Sequence, residues 1–223
     1  MILSGYKGVT TMASPVEMRN AALGATVVKN LEKRGFSAYY CADKQAALSQ
    51  ALALIPKTDA VCWGGSMSIS EIGLLDKVRA EYKTIDRDTA KDQAERSEIM
   101  RQGLLADTFL MSVNGLSEDG ELVNIDGNGN RCAAMIYGPK QVLIIAGLNK
   151  VAKNLHAAVA RARSVAATTN VQRFPGKKTP CSVTGACADC LSADCICNYF
   201  VITRRSNPQG RIKVILVGEP LGY

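Results

Sequence analysis

Residues 59–74 read DAVCWGGSMSISEIGL: a short apolar run that breaks at two glycines before a helical pattern begins. "DAVCW" (59–63) has the length and composition of a strand covered on both faces. It stops at Gly64-Gly65-Ser66, and a helix is expected near residues 70–80. A buried strand that hands over to a helix is the building unit of a parallel α/β sheet, and ligands of such sheets bind beyond the carboxyl ends of the strands. Gly64, Gly65, Ser66 and Met67 are therefore candidate ligand contacts. Glycine lets a ligand approach the backbone, and free N–H groups at a helix start favour an anion. Glu71, within that helix, is a candidate general base. The competing account is an ordinary strand-to-helix turn capped by Ser66 or Ser68. Neither a G-x-G-x-x-G fingerprint nor a G-x-x-x-x-G-K-[ST] phosphate loop is present here.

The flanking sequence repeats the alternation. Residues 15–34 read as a helix, with Pro15 suited to its first turn and Leu23, Val27 and Leu31 on one face. "FSAYYC" follows as a short strand, and Asp43 can cap a second helix carrying Leu48, Leu52 and Ile55. After residue 80 come a strand "YKTID" and a charged helix across 90–103. The middle is richer in strands: "DTFLMSV" (107–113), "ELVNI" (121–125), "CAAMIYG" (132–138) and "QVLIIAG" (141–147). Asn149 is then expected to cap a helix with Val151, Leu155 and Val159 on one face, and strands "YFVITRR" and "RIKVILVG" close the chain. These elements predict an α/β fold: a mainly parallel sheet flanked by helices, with an inserted β-hairpin region. Residues 1–14 read as a loose extension, in which Met12 is a candidate start, and residues 15–223 as one domain.

Composition narrows the classes. The chain has 223 residues, 47% of them hydrophobic, enough for a full core. No apolar run approaches the roughly 18–20 residues that span a bilayer, and residues 1–15 do not form a secretory signal, so a cytoplasmic protein is expected. The net charge of +7 is uneven: residues 161–223 hold nine Lys/Arg against three Asp/Glu, while residues 1–160 are nearly balanced. A basic third suits an anionic partner, but aromatic residues are only 5% and no nucleic-acid-binding module is evident, so no nucleic acid is expected.

A second candidate site lies in "SVNGLSEDGELVNIDGNGNR" (112–131). Asp-Gly and Asn-Gly are strong hairpin signals, so residues 126–131 read as a turn between strands 121–125 and 132–138. A calcium loop fails, because the sixth and twelfth positions are Arg131 and Tyr137, where an EF-hand needs glycine and a bidentate glutamate. The stretch nevertheless gathers Asn114, Glu118, Asp119, Asn124, Asp126, Asn128 and Asn130 with one arginine, Arg131. That is more amide and carboxylate than a solvated hairpin needs, although Arg131 with Asp126 also fits a surface ion pair. The lone His156 lies beside an apolar helix face, and with no second histidine there is no Ser/His/Asp triad.

The blocks "WGGSMSISEIGL", "LLADTFLMSVNGLSEDGELVNIDGNGNRCAAMIYGPKQVLIIAGLNK" and "CSVTGACADCLSADCICNYFVITRR…GRIKVILVGEPLGY" together resemble the LUD-domain family (formerly DUF162), named for lactate utilisation. The resemblance spans roughly residues 15–223. It implies a fold related to ribose-5-phosphate isomerase and CoA transferases, with an open cleft at the strand ends. In such folds residues 126–131 form one wall facing Gly64–Glu71. The implied role is binding of a small anionic metabolite, with Glu71 or Asp126 as acid/base and Gly64, Gly65, Ser66, Met67, Asn114, Asn124, Asn128, Asn130 and Arg131 as contacts. The family keeps company with iron–sulfur proteins, so the rival implication is an accessory protein that docks on a redox enzyme; a homo-oligomer is compatible with either.

Five of the eight cysteines crowd into residues 181–197, spaced C-x5-C-x2-C-x4-C-x-C. In a reducing compartment such crowding favours metal binding or redox chemistry over disulfides. Zinc ribbons want two C-x2-C knuckles and bacterial ferredoxins a C-x2-C-x2-C run; neither is matched. The resemblance singles out Cys181, Cys187, Cys190 and Cys197 as metal ligands, with Cys195 extra. Four thiolates suit an iron–sulfur cluster or zinc, with the cluster preferred, and a metal-free packed loop is the alternative. Cys41, Cys62 and Cys132 read as buried free thiols.

Overall fold

The computed structural model describes residues 13–223. The expected extension and Met12 therefore lie outside the described residues, apart from Ala13 and Ser14. The helices and strands run, in order, α1 (Pro15–Lys33), β1 (Ser37–Cys41), α2 (Lys44–Leu54), β2 (Ala60–Trp63), α3 (Met67–Glu71), α4 (Leu74–Glu81), β3 (Lys83–Ile85), α5 (Gln93–Gln102), β4 (Thr108–Met111), β5 (Gly115–Ser117), β6 (Leu122–Asp126), α6 (Asn130–Ile136), β7 (Gln141–Gly147), β8 (Val151–Ala152), α7 (Leu155–Arg161), α8 (Thr168–Val171), α9 (Pro180–Thr184), β9 (Tyr199–Thr203) and β10 (Ile212–Val217). A π-helical turn, Ala162–Ala167, joins α7 to α8.

Six strands form one sheet in the order β1-β10-β7-β4-β2-β3, every pair parallel. The expected α/β sheet is therefore present. Side chains alternate across it as the pleat requires. Val142 and Ile144 of β7 pack with α1 through Val27 and Leu31, while Leu143 and Ile145 pack with Ala47 and Ala51 of α2 and with Ile69, Leu74 and Val78. Both faces are covered, which is why residues 142–147, "VLIIAG", are apolar throughout rather than alternating. Ser14 caps α1 in a box with Glu17, and Asp43 caps α2 as its sequence position implies.

A second sheet, β8-β5-β6-β9, contains the inserted hairpin: β5 and β6 are antiparallel, and β9 pairs antiparallel with β6. Its Val123 and Ile125 pack on Ala158, Ala162 and Ala167 of α7 and the π-helical turn. Here the sequence reading needs three corrections. Residues 132–138 are not a strand: α6 runs from Asn130 to Ile136, so residues 126–131 are a strand-to-helix connection rather than a hairpin turn. Asn149 does not cap α7; Leu148–Lys150 form a 3₁₀ turn, Val151 and Ala152 are a strand, and Asn154 supplies the cap. The helix expected at 70–80 is two helices, α3 and α4, divided at Gly73, whose φ of 74° ends one and starts the other.

No helix among the described residues is long and apolar enough to cross a membrane.

Candidate functional site

The carboxyl ends of β3, β2, β4 and β7, neighbours in the sheet, open onto a cavity of about 550 Å³, a volume suited to a small organic ligand. Each strand end supplies part of the lining: Arg87 after β3, Trp63 to Met67 at the end of β2, Ser112 and Asn114 after β4, and Lys150 after β7. The far wall is Asp126, Asn128, Asn130 and Arg131, between β6 and α6. The two stretches singled out in the sequence therefore meet across one cleft.

What Gly64 and Gly65 provide differs from the expectation. A Cβ on Gly64 would lie 2.5 Å from Cγ and Cδ of Arg131, and one on Gly65 would lie 2.6 Å from Nη2 of Arg87. The glycines admit two arginine side chains to the cavity wall, so the positive charge there comes from guanidinium groups. The helix that follows, α3, has only five residues.

Arg131 is held from both sides. Its Nη2 donates to the Ile125 carbonyl at 2.5 Å, its Nε lies 3.6 Å from Asp126 Oδ2, and its backbone N–H donates to that carboxylate at 3.1 Å. Asp126 Oδ2 also accepts the Cys132 amide at 3.2 Å. The Asp126 carboxylate thus holds the first turn of α6 together. Arg87 is largely buried, with Nη1 3.8 Å from Met100 Sδ. Burial, then Arg96 beside it, pushes its pKa below the usual arginine value, against the opposing charge of Asp88, whose Oδ1 lies 3.9 Å from Nε. Arg96, Arg173 and Lys177 add further cations to the lining.

Lys150, absent from the sequence reading, is the least expected member. It is 3% exposed, and its Nζ donates to the Ser68 and Ser112 hydroxyls at 2.9 Å each. No carboxylate pairs with it among the described residues. Burial, reinforced by the charges of Arg161 and Arg131 and opposed by Glu71, pushes its pKa down to about 7.

Five buried side-chain polar atoms among the described residues lack a hydrogen-bond partner: Trp63 Nε1, Ser66 Oγ, Arg87 Nε, Asn124 Oδ1 and Tyr223 Oη. Four of them belong to residues lining this cavity. Unpaired buried polar groups cost about 1–3 kcal/mol each, and Arg87 Nε has only the Asp88 carboxylate at 3.9 Å, so their clustering in residues around one cavity favours a polar partner there.

Other candidates fall elsewhere. Glu71 is exposed and outside the lining, and its carboxylate accepts the Gly222 amide at 3.0 Å. Asn124 is fully buried behind the wall, its Nδ2 3.5 Å from Met135 Sδ. Glu118 and Asp119 lie at the opposite end of the β5–β6 hairpin, where Glu118 pairs with Lys153 at 2.7 Å. His156 is exposed. Arg87 and Lys150 are each a single cation in an ordinary-looking stretch; the usable signal is a charged residue within three positions of a strand's carboxyl end.

The C-terminal cysteines form a separate feature. Cys41, Cys62 and Cys132 are buried free thiols, as expected. Cys197 has its pKa pushed up to about 12, first by burial and then by Cys195, Cys181 and Cys187, so these four thiols are neighbours. Cys187 is exposed and lies beside Arg163, which pairs with Asp189. Among the described residues no three His, Cys, Asp or Glu side chains converge as ligands of one ion. A shared metal centre therefore requires the segment to draw its thiols together.

The model of the LUD domain matches residues 25–217, most of the chain, and the protein belongs to the LUD-domain family. Its fold is similar to that of a DUF162 family protein from Deinococcus radiodurans, known from a crystal structure, with a TM-score of 0.53 at 12% identity over 89% of this chain and 98% of that one. At that identity the likeness concerns the fold alone. No curated protein matches this sequence.

Proposed function

We propose that this LUD-domain protein binds a small anionic metabolite, an organic acid, in the cavity at the strand ends. The observation that carries the reading is a cavity lined by Arg87, Arg131 and Lys150, four of whose lining residues, Trp63, Ser66, Arg87 and Tyr223, each hold a buried polar atom without a hydrogen-bond partner. Donors and cations at a shielded site favour a carboxylate or phosphate over a neutral ligand. The Arg131 and Arg87 guanidinium groups bind the anion, and Asp126 fixes Arg131 through its backbone and Nε. The family's association with lactate utilisation accords with a small hydroxy or oxo acid. Thermal shifts against lactate, pyruvate, glyoxylate, phosphate and coenzyme A test the reading, with Arg131→Ala as the control. If no compound raises the melting temperature, or the variant responds equally, the cavity is not an anion site.

A second reading, an accessory protein docking on an iron–sulfur redox enzyme, is favoured by Tyr199, Phe200 and Ile202. These β9 side chains are each about half exposed, at 49%, 48% and 50%, beside the basic C-terminal third. Copurification of such an enzyme from native cells supports it; a protein that isolates alone or as a homo-oligomer and turns over substrate argues against it. The C-terminal thiols are proposed to hold one metal centre, an iron–sulfur cluster in preference to zinc. The proposed ligands are Cys181, Cys187, Cys190 and Cys197, and the support is that Cys195, Cys181 and Cys187 lie close enough to Cys197 to raise its pKa, in an otherwise irregular segment.

A further inference from the structure

Resting on the anion-site reading above, we infer that Lys150 is a nucleophilic amine that forms an imine with a small 2-oxo carboxylate bound in the cavity. Lys150 follows the end of β7 on a 3₁₀ turn and reaches inward between α3 and the end of β4, so that Nζ meets the Ser68 and Ser112 hydroxyls at 2.9 Å each. Ser68 is fully buried and in turn donates to the Leu221 carbonyl at 3.3 Å. Two tetrahedral positions of the nitrogen are thereby filled, and no third protein partner is present among the described residues. Lys150 itself lines the cavity, together with Ser112.

A lysine kept only as a structural cation would be paired with a carboxylate, as Lys153 is with Glu118 and Lys140 with Asp107. Lys150 is instead buried against two hydroxyls, with burial and the charges of Arg161 and Arg131 outweighing that of Glu71, an environment that favours the neutral amine. In that form the two N–H bonds satisfy the two hydroxyls and the lone pair is free to attack. An amine held near a pKa of 7 is neutral at physiological pH in a fraction roughly a hundredfold or more above that of an exposed lysine.

The substrate class follows from what surrounds the amine. The guanidinium groups of Arg131 and Arg87 hold a carboxylate, and the amine then requires a carbonyl carbon next to it, which a 2-oxo acid supplies. In the step the Nζ lone pair forms the C–N bond as the carbonyl π electrons move to oxygen. The carbinolamine then loses that oxygen as water, its two hydrogens coming from the two amine N–H bonds, with the Ser68 and Ser112 hydroxyls placed to relay them. The products are the imine and one water, and no oxidant or reductant takes part.

Reductive trapping tests this directly. The full-length protein is incubated at pH 7.5 with pyruvate or glyoxylate and sodium cyanoborohydride, and intact mass and peptide mapping locate the product. The expected result is one reduced adduct per chain on Lys150, formed at least roughly tenfold faster than on any other lysine, and lost in both Lys150→Arg and Lys150→Met, with circular dichroism verifying that each variant is folded. Absence of an adduct at Lys150, or labelling spread over surface lysines and undiminished in the variants, overturns the inference. If pyruvate or glyoxylate raises the melting temperature through Arg131 yet leaves Lys150 untrapped, the imine is wrong and the anion site stands. If neither binds, the imine falls, and the anion site falls with it only when lactate, phosphate and coenzyme A also fail to bind.

Discussion

The Asp126 carboxylate and the Cys132 amide lie 3.2 Å apart, and through that contact a glycine-rich turn becomes the start of a helix. The same Oδ2 accepts the Arg131 amide at 3.1 Å, so one buried carboxylate both starts α6 and places an arginine on the cavity wall. Replacing Asp126 by Ala leaves two amides at the start of α6 without their acceptor. The variant is expected to lose about 2 kcal/mol of stability and to bind anions more weakly, since Arg131 loses its support. Urea denaturation checks the first effect and ligand titration the second; unchanged stability would show that water replaces the carboxylate without loss.

Gly64→Ala and Gly65→Ala test the two arginines. On Gly65 the new methyl collides with the far end of Arg87, and on Gly64 with Cγ and Cδ of Arg131, whose guanidinium is held by the Ile125 carbonyl and Asp126. The cost in stability is expected to stay under about 1 kcal/mol for Gly65→Ala, where a side-chain end yields, and to be about 1–3 kcal/mol for Gly64→Ala, where Arg131 gives up its contacts. Anion affinity, in contrast, should fall at least roughly tenfold, the loss of about 1.4 kcal/mol expected for a displaced charge-assisted contact. Equal affinity in both variants would mean that the arginines do not touch the ligand.

Much of the frame was legible because its signals are local. "AVCW" (60–63) and "VLIIAG" (142–147) carry no polar side chain, and only strands covered on both faces require that. The segment 130–136 was misread for the same reason. Its Cys132, Ala134 and Met135 are buried in a helix of barely two turns, and a short apolar run has no period long enough to separate helix from strand. Gly129, with φ of 78°, carries the signal of a tight turn, but here it precedes α6. The cavity wall at Gly64–Met67 and Asp126–Arg131 was foreseen, whereas Arg87 and Lys150 were not. Their roles arise from the parallel order β3-β2-β4-β7, which brings strand ends from distant parts of the chain side by side, and no local pattern encodes that order.

Stability should depend on pH through Lys150. Its folded pKa, about 7, lies below the roughly 10.4 of an unfolded lysine, so between these values the unfolded chain binds more protons. Stability therefore rises with pH across that window, and the destabilising effect of the buried amine is fully present below pH 7. The buried thiols of Cys62 and Cys132, both raised to about 11, act in the opposite direction above pH 9, so the clean interval is pH 7–9. Arg161, Arg131 and Glu71 are the charged groups that act on Lys150. Lys150→Met should be more stable than the parent at pH 7, with the difference shrinking by pH 9. A constant difference would contradict a depressed pKa.

Anaerobic purification followed by metal analysis addresses the C-terminal thiols. Iron with absorbance near 400 nm, about where thiolate-to-iron transitions fall, supports a cluster; stoichiometric zinc in a colourless protein indicates a structural site. With either metal, Cys187→Ser is expected to lower stability and metal content together. Metal-free protein whose stability is unaffected by that change leaves only a packed loop of thiols.

Trp63 is the single tryptophan of the chain, and its Nε1 is one of the unpaired donors of the cavity, with the Arg79 guanidinium 5.2 Å from the ring centroid. Its emission therefore reports on the site without a label. Titration with lactate, pyruvate, glyoxylate and phosphate should give a saturable change for at least one of them, weakened at least roughly tenfold in Arg131→Ala and in Arg87→Gln. Emission that stays flat across all four anions, or that changes identically in both arginine variants, would contradict an anion-binding cavity at the strand ends.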